Sequence, residues 1–255
     1  MTAVLQTEQL SLRFGGVDAL SDVSLQIAES SLHAIIGPNG AGKTSLFNCL
    51  TGYYRPTGGA VRFRGSDVTR LDPAKVAGLG IRRTFQNIRV FPKMSVIENV
   101  LAGGHLRATP NLLSIIASGP RFRKVERQLR EEAMESLDFV GLADQWSNLA
   151  GDLPYGMRKR MELARALIAN PVVVLLDEPA AGVSSVEREE LSRVIQRIHS
   201  RGICVVMIEH DVDLVMEVAT DVTVLDNGRV IAEGAPHDVR SNPDVIRAYM
   251  GRERK

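Results

Sequence analysis

The run Gly37-Pro38-Asn39-Gly40-Ala41-Gly42-Lys43-Thr44 lies between an apolar segment, Leu32-His33-Ala34-Ile35-Ile36, and a helical pattern, Thr44-Ser45-Leu46-Phe47-Asn48-Cys49-Leu50. A glycine-rich loop that closes on Lys and Thr between a strand and a helix matches the G-x-x-x-x-G-K-[ST] phosphate-binding pattern. Its glycines let the backbone turn so that successive N–H groups point inward at phosphate oxygens, and the helix start adds partial positive charge. In that geometry Lys43 reaches the β- and γ-phosphates and the Thr44 hydroxyl ligates Mg²⁺. Gly37, Pro38, Asn39, Gly40, Ala41, Gly42 and Ser45 make up the rest of the nucleotide-binding set. The plainer alternative is a glycine turn that only caps a helix. Chance produces the pattern in roughly one chain in a hundred of this length. A nucleoside triphosphate is the expected ligand.

The chain has 255 residues, 44% hydrophobic and 24% charged, which suits a globular protein with a sizeable core. Its formal net charge of +1 gives no support for nucleic acid as a partner. The longest apolar runs, Pro171–Leu176 and Ile203–Ile208, are far too short to cross a bilayer, and the first residues lack the pattern of a signal peptide. Cys49 and Cys204 sit in apolar runs without a CxxC or a neighbouring His, so buried reduced thiols are expected. A cytosolic address follows.

Outward from the loop, residues 4–36 read as β structure. Leu10–Phe14 and Val23–Ile27 alternate as half-buried antiparallel strands, with Gly15-Gly16 as the turn between them. Phe14 is either core or an aromatic face on which a purine stacks. Another alternating strand, Ala60–Arg64, follows, and Gly80–Gln86 reads as a strand ending in glutamine. From Asn87 the pattern turns helical. Ser95 with Glu98 forms a capping-box start. Residues 121–139 read as a helix with Phe122, Val125, Leu129 and Met134 on its apolar side; its charged face is solvated or meets lipid headgroups or a partner. Gly156 introduces a helix through Ala169. Val172–Leu176 and Ile203–Ile208 are continuous apolar runs, as parallel strands covered on both faces are. The expected fold is α/β: a mainly parallel core sheet and an antiparallel β subdomain (1–86 and 166–255), with an all-helical insertion (87–165).

Val174-Leu175-Leu176-Asp177-Glu178 ends a buried strand with adjacent carboxylates. Alternation along the strand allows one to bind Mg²⁺ while its neighbour polarises an attacking water. Glu209-His210-Asp211 closes the next buried strand, on the carboxyl edge where such sheets place ligands, although a lone His at a strand end is usually incidental. The Gln86 amide can touch Mg²⁺ or water and so report γ-phosphate occupancy to the insertion.

In this order, Phe14, the phosphate loop, Gln86, Leu153-Pro154-Tyr155-Gly156-Met157, Asp177-Glu178 and His210 resemble an ATP-binding cassette (ABC) ATPase over essentially the whole chain. Arg13–Gly16, Phe47–Gly52, Arg83–Arg89, Leu176–Gly182 and Ile208–Asp211 are similar to the ATPase subunits of branched-chain amino-acid importers. The resemblance implies a P-loop fold and a head-to-tail pair of cassettes, each ATP lying between the phosphate loop of one and the signature (Leu153–Met157) of the other. Phe14 would stack adenine, Thr44, Gln86 and Asp177 would hold Mg²⁺, and Glu178 would act as general base. His210 and Lys43 would meet the γ-phosphate, with Gly156 supplied in trans. The implied partners are integral membrane permease subunits, a second cassette (self or paralogue) and, indirectly, an extracytoplasmic solute-binding protein; the implied place is peripheral, on the cytoplasmic face of the cell membrane.

Two departures stand out. Leu-Pro-Tyr-Gly-Met replaces the family's Leu-Ser-Gly-Gly-Gln, so Pro154 removes a hydroxyl and a backbone N–H, while Gly156 and the helix start remain as anion donors. Ser184 stands where the family usually has an acid. These departures motivate a nucleotide-gated scaffold with little turnover as one alternative, and a soluble cassette protein without a transporter is another. No Asn-Lys-x-Asp string occurs to read guanine.

Overall fold

The computed structural model describes residues 3–84, 88–104 and 120–250, the last without the side chains of 120–123. Two compact units emerge: residues 1–83, 172–180 and 195–255 form the first, and 84–171 with 181–194 the second.

The first unit holds both sheets. Strands β1 (Ala3–Phe14), β2 (Val17–Ala28), β4 (Gly58–Phe63) and β5 (Ser66–Asp67) make an antiparallel sheet in the order β2-β1-β4-β5. Alternating burial along β1 and β2 agrees with the half-apolar pattern of their sequences. The second sheet runs β10-β9-β3-β8-β7-β6, from β3 (Leu32–Ile36), β6 (Ile81–Arg83), β7 (Val173–Asp177), β8 (Cys204–Ile208), β9 (Asp221–Asp226) and β10 (Arg229–Gly234). Its neighbours pair in parallel except β9 with β10, which form a hairpin across Asn227-Gly228. Every residue of β3, β7 and β8 is buried, the consequence of their unbroken apolar runs.

Register brings the strand ends together. Ile35 lies opposite Ile208, and Ile208 opposite Asp177, so β3, β8 and β7 finish in one row. The segments leaving that row are the phosphate loop, Glu209-His210 and Glu178, at the carboxyl edge that binds ligands in open parallel sheets. Helix α1 (Lys43–Leu50) leaves the loop and buries Leu46, Phe47 and Leu50 in the core beneath the sheets. Helix α2 (Pro73–Gly78) precedes β6. Cys49 and Cys204 are free and buried, and burial raises their thiol pKa values to about 12 and about 11.

The second unit is helical: α3 (Val96–Gly104), α4 (Pro120–Phe139) and α5 (Tyr155–Leu167), with single turns at Ala143–Gln145 and Ala150–Asp152 between α4 and α5. The capping box at α3 is formed: Ser95 N–H donates to Glu98 Oε2 at 2.7 Å, and Glu98 N–H to Ser95 Oγ at 3.3 Å. On α4 the expected apolar side shifts. Val125 is 52% exposed, while Ala133 and Leu137 are fully buried. The stripe that finds packing partners is Leu129, Ala133 and Leu137, spaced four apart, and Val125 lies one turn before it. Phe122 has its side chain outside the described residues. Helix α6 (Ser185–Ser200) begins in this unit, and α7 (Val212–Val218), α8 (Pro236–Arg240) and α9 (Pro243–Met250) belong to the first.

Candidate functional site

Backbone shape builds the phosphate loop. Gly37 has φ 148°, and a Cβ there would stand 2.1 Å from the Leu225 carbonyl oxygen, so only glycine lets the chain turn off β3. Gly40 and Gly42 are also left-handed. Asn39, Gly40 and Thr44 face solvent, while Lys43 is buried under the loop. Its ammonium donates to the carbonyls of Gly37 at 2.6 Å and Pro38 at 3.1 Å. Those carbonyls hold the cation at the mouth of α1, where the helix start already favours an anion.

The adjacent acids at the end of β7 diverge as alternation demands. Asp177 turns inward, its side chain 6% exposed, and its Oδ2 accepts a bond from Arg83 Nη2 at 2.6 Å. Glu178 takes a left-handed backbone, φ 48°, uncommon for a non-glycine residue. Its Oε1 lies 2.6 Å from His210 Nε2, and the imidazole is 42% exposed. A carboxylate and an imidazole in contact, both reachable from solvent beside a cationic loop, can order a water and move its proton.

Phe14 is 48% exposed, which removes it from the core. The Tyr54 ring meets it edge-on, centroids 5.2 Å apart, leaving an aromatic platform. Gln86 lies outside the described residues. Gly156, in the second unit, opens α5 together with Tyr155; its N–H donates to Glu187 Oε1 at 3.1 Å, and a Cβ on it would fall 2.3 Å from that oxygen. Thus Gly37–Ser45, Asp177, Glu178 and His210 share the first unit's sheet edge, and Gly156 belongs to the other unit.

Three residues escaped the reading from sequence. Arg83 is one. Glu209 is another: buried, it accepts N–H bonds from Ala180 at 2.8 Å and His210 at 3.1 Å, tying the segments after Glu178 and before His210; burial raises its pKa. Glu187 is the third. Hydrogen bonds from Ser184, backbone and hydroxyl, and from Gly156 lower its pKa, so it stays ionised. A charge at or just past a strand end, as at Arg83 closing β6 and Glu209 following β8, was the available signal.

A hard divalent cation suits the donors present, the Thr44 hydroxyl and the Asp177 carboxylate. Among the described residues no cluster of three or more His, Cys, Asp or Glu could hold a metal.

Sheet, loop and strand-end acids together define a P-loop nucleotide-binding protein. The "ABC transporter" family model matches residues 20–181, and the "Branched-chain amino acid ATP-binding cassette transporter" model matches residues 229–255. The chain is 41% identical to the high-affinity branched-chain amino acid transport ATP-binding protein BraF of Pseudomonas aeruginosa, across 97% of this chain and 98% of that one. It is 39% identical to the corresponding LivG protein of Escherichia coli K12, with the same coverage. A nucleotide-free ATP-binding cassette from an ABC transporter superposes with a TM-score of 0.85 at 33% identity, covering 97% of this chain and 98% of that one. The structure of an ATP-binding cassette of an ABC transporter in its ADP conformation gives 0.86 at 33%, covering 98% and 100%. The chain belongs to the ABC transporter family, among the ATP-binding proteins of branched-chain amino acid transport. No described helix is long and apolar enough to cross a membrane.

Proposed function

We propose that this chain is the ATP-hydrolysing subunit of a branched-chain amino-acid importer. The observation that carries the reading is the phosphate loop, with Lys43 held on the Gly37 and Pro38 carbonyls at the sheet edge where Asp177, Glu178 and His210 emerge. The relatives' names support the solute class. Phe14 stacks the adenine, and Gly37–Ser45 wrap the phosphates with backbone N–H groups. Lys43 moves from its carbonyls to the β- and γ-phosphate oxygens. Glu178 takes a proton from the attacking water, and His210, already 2.6 Å from it, orients that carboxylate and meets the γ-phosphate. Thr44, Gln86 and Asp177 would hold Mg²⁺, which would supply Lewis-acid stabilisation of the phosphoryl oxygens. The water oxygen bonds to the γ-phosphorus as the bond to the β,γ-bridging oxygen breaks; ADP leaves with that electron pair, and the proton taken by Glu178 passes to the released phosphate.

In this reading the loop is half of a site. A second cassette, a copy or a paralogue, lies head to tail and contributes its signature, Gly156 with the start of α5. Residues 1–86 and 166–255 act as the catalytic core and 87–165 as the insertion that, from Gln86 onward, meets membrane permease subunits at the cytoplasmic face. A solute-binding protein acts through the permease, and nucleic acid has no part. The test is Glu178→Gln. It should bind ATP as tightly as wild type in calorimetry and hydrolyse it about 10²–10⁴-fold more slowly. Near-wild-type phosphate release would remove Glu178 from the base role.

A further inference from the structure

We propose that Arg83 is a positioning residue for the metal-binding carboxylate: it fixes the orientation of Asp177 and, by its charge, loosens that carboxylate's hold on the ion. This rests on the nucleotide-and-metal reading above. Arg83 is the last residue of β6, paired in register with Leu175 of β7. Its guanidinium spans two elements. Nη2 donates to Asp177 Oδ2 at 2.6 Å, while Nη1 donates to Asn48 Oδ1 at 2.7 Å and Thr51 Oγ1 at 3.4 Å. The Phe47 ring lies under it, 5.6 Å from Cζ to centroid. Both partners of the ion pair are buried, their side chains 7% and 6% exposed.

A plain buried ion pair would need only the charge. Here the head is held by α1, the helix that carries Lys43 and Thr44, so the carboxylate is pinned relative to the phosphate loop rather than merely neutralised. Arginine is required for that, because its planar fork serves two acceptors at once and a lysine ammonium is a single point. With Oδ2 committed to Arg83, Oδ1 is the oxygen that would meet a cation. A fixed positive charge on the same carboxylate reduces its attraction for a divalent ion. Arg83 therefore trades metal affinity for geometry, which suits an ion that must leave with each product.

The experiment measures Mn²⁺ affinity by electron paramagnetic resonance, using the full chain with a non-hydrolysable ATP analogue, alongside turnover at saturating metal. Arg83→Met should bind Mn²⁺ about threefold or more tightly, from the lost charge, yet turn over about tenfold or more slowly, from the lost orientation. Tighter metal with slower turnover is a pairing that a damaged site does not produce. Arg83→Lys, which keeps the charge, should show near-wild-type Mn²⁺ affinity with turnover still reduced; it also serves if the methionine variant does not fold. In an Asp177→Ala background, Arg83→Met should leave Mn²⁺ affinity unchanged. Weaker or unaltered Mn²⁺ binding by folded Arg83→Met, or full turnover by Arg83→Lys, overturns the proposal. Absence of analogue binding in the wild type would instead count against the nucleotide reading itself.

Discussion

The phosphate loop and the Leu153–Met157 segment both present backbone N–H groups at the start of a helix, yet they differ in charge. In the first unit the loop places an ammonium against its own carbonyls, and its glycines keep the backbone turned inward. In the second, Pro154 supplies no N–H, and the Gly156 N–H already donates to an ionised carboxylate, Glu187. One helix start is set up to accept phosphate; the other holds an acid of its own. The difference explains why a family resemblance can be strong while the two halves of the proposed site are unequal: anion binding by a helix start depends on what already occupies its donors.

The most severe way to break this contrast is Gly156→Asp. It adds a second carboxylate where phosphate oxygens are proposed to arrive. ATP binding to the isolated loop should persist in calorimetry, while turnover falls about 10²-fold or more. Loss of ATP binding to the same degree would erase the distinction between the two segments.

A smaller effect sharpens the loop side. His33 lies in β3 directly before the loop, its Nε2 2.8 Å from Thr223 Oγ1, and burial lowers its pKa to about 4. A base whose folded pKa is depressed costs nothing above its unfolded value and is penalised below it. Stability should therefore be complete above pH 6.5 and decline by about 3 kcal/mol as pH falls to about 4. Denaturant melts of His33→Asn should show a flatter acid limb over that window. An unchanged limb would place the acid sensitivity elsewhere.

The mildest test lies beside the signature. Ser184 and Glu187 form a capping box at α6, Ser184 N–H to Glu187 Oε2 at 2.9 Å and Glu187 N–H to Ser184 Oγ at 3.3 Å. Ser184→Ala should cost about 1 kcal/mol, read as a shift in denaturation midpoint without loss of ATP binding. The residue that looked like a missing acid is a helix cap here.

Much of the fold was legible because its signals are local. Continuous apolar runs marked β3, β7 and β8, and alternation marked β1 and β2. Candidate site residues stand out in the sequence where chemistry and spacing coincide, at Gly37–Thr44 and Asp177-Glu178. They do not stand out where partners are distant in sequence. Arg83 and Asp177 are 94 residues apart, and Gly156 and Glu187 are 31 apart; both pairs depend on packing that no periodicity encodes. Val125 shows the complementary error: its spacing fits a buried stripe, but burial starts only where α4 has something to pack against.

The central claim is that Gly37–Thr44 is half of a hydrolytic site completed by a second cassette. Phosphate release per molecule, measured from dilute to concentrated protein at saturating Mg²⁺ and ATP, tests it most directly. Specific activity should rise with concentration and level off once the chain is paired. A specific activity that stays flat from the fully monomeric to the fully dimeric range would contradict it.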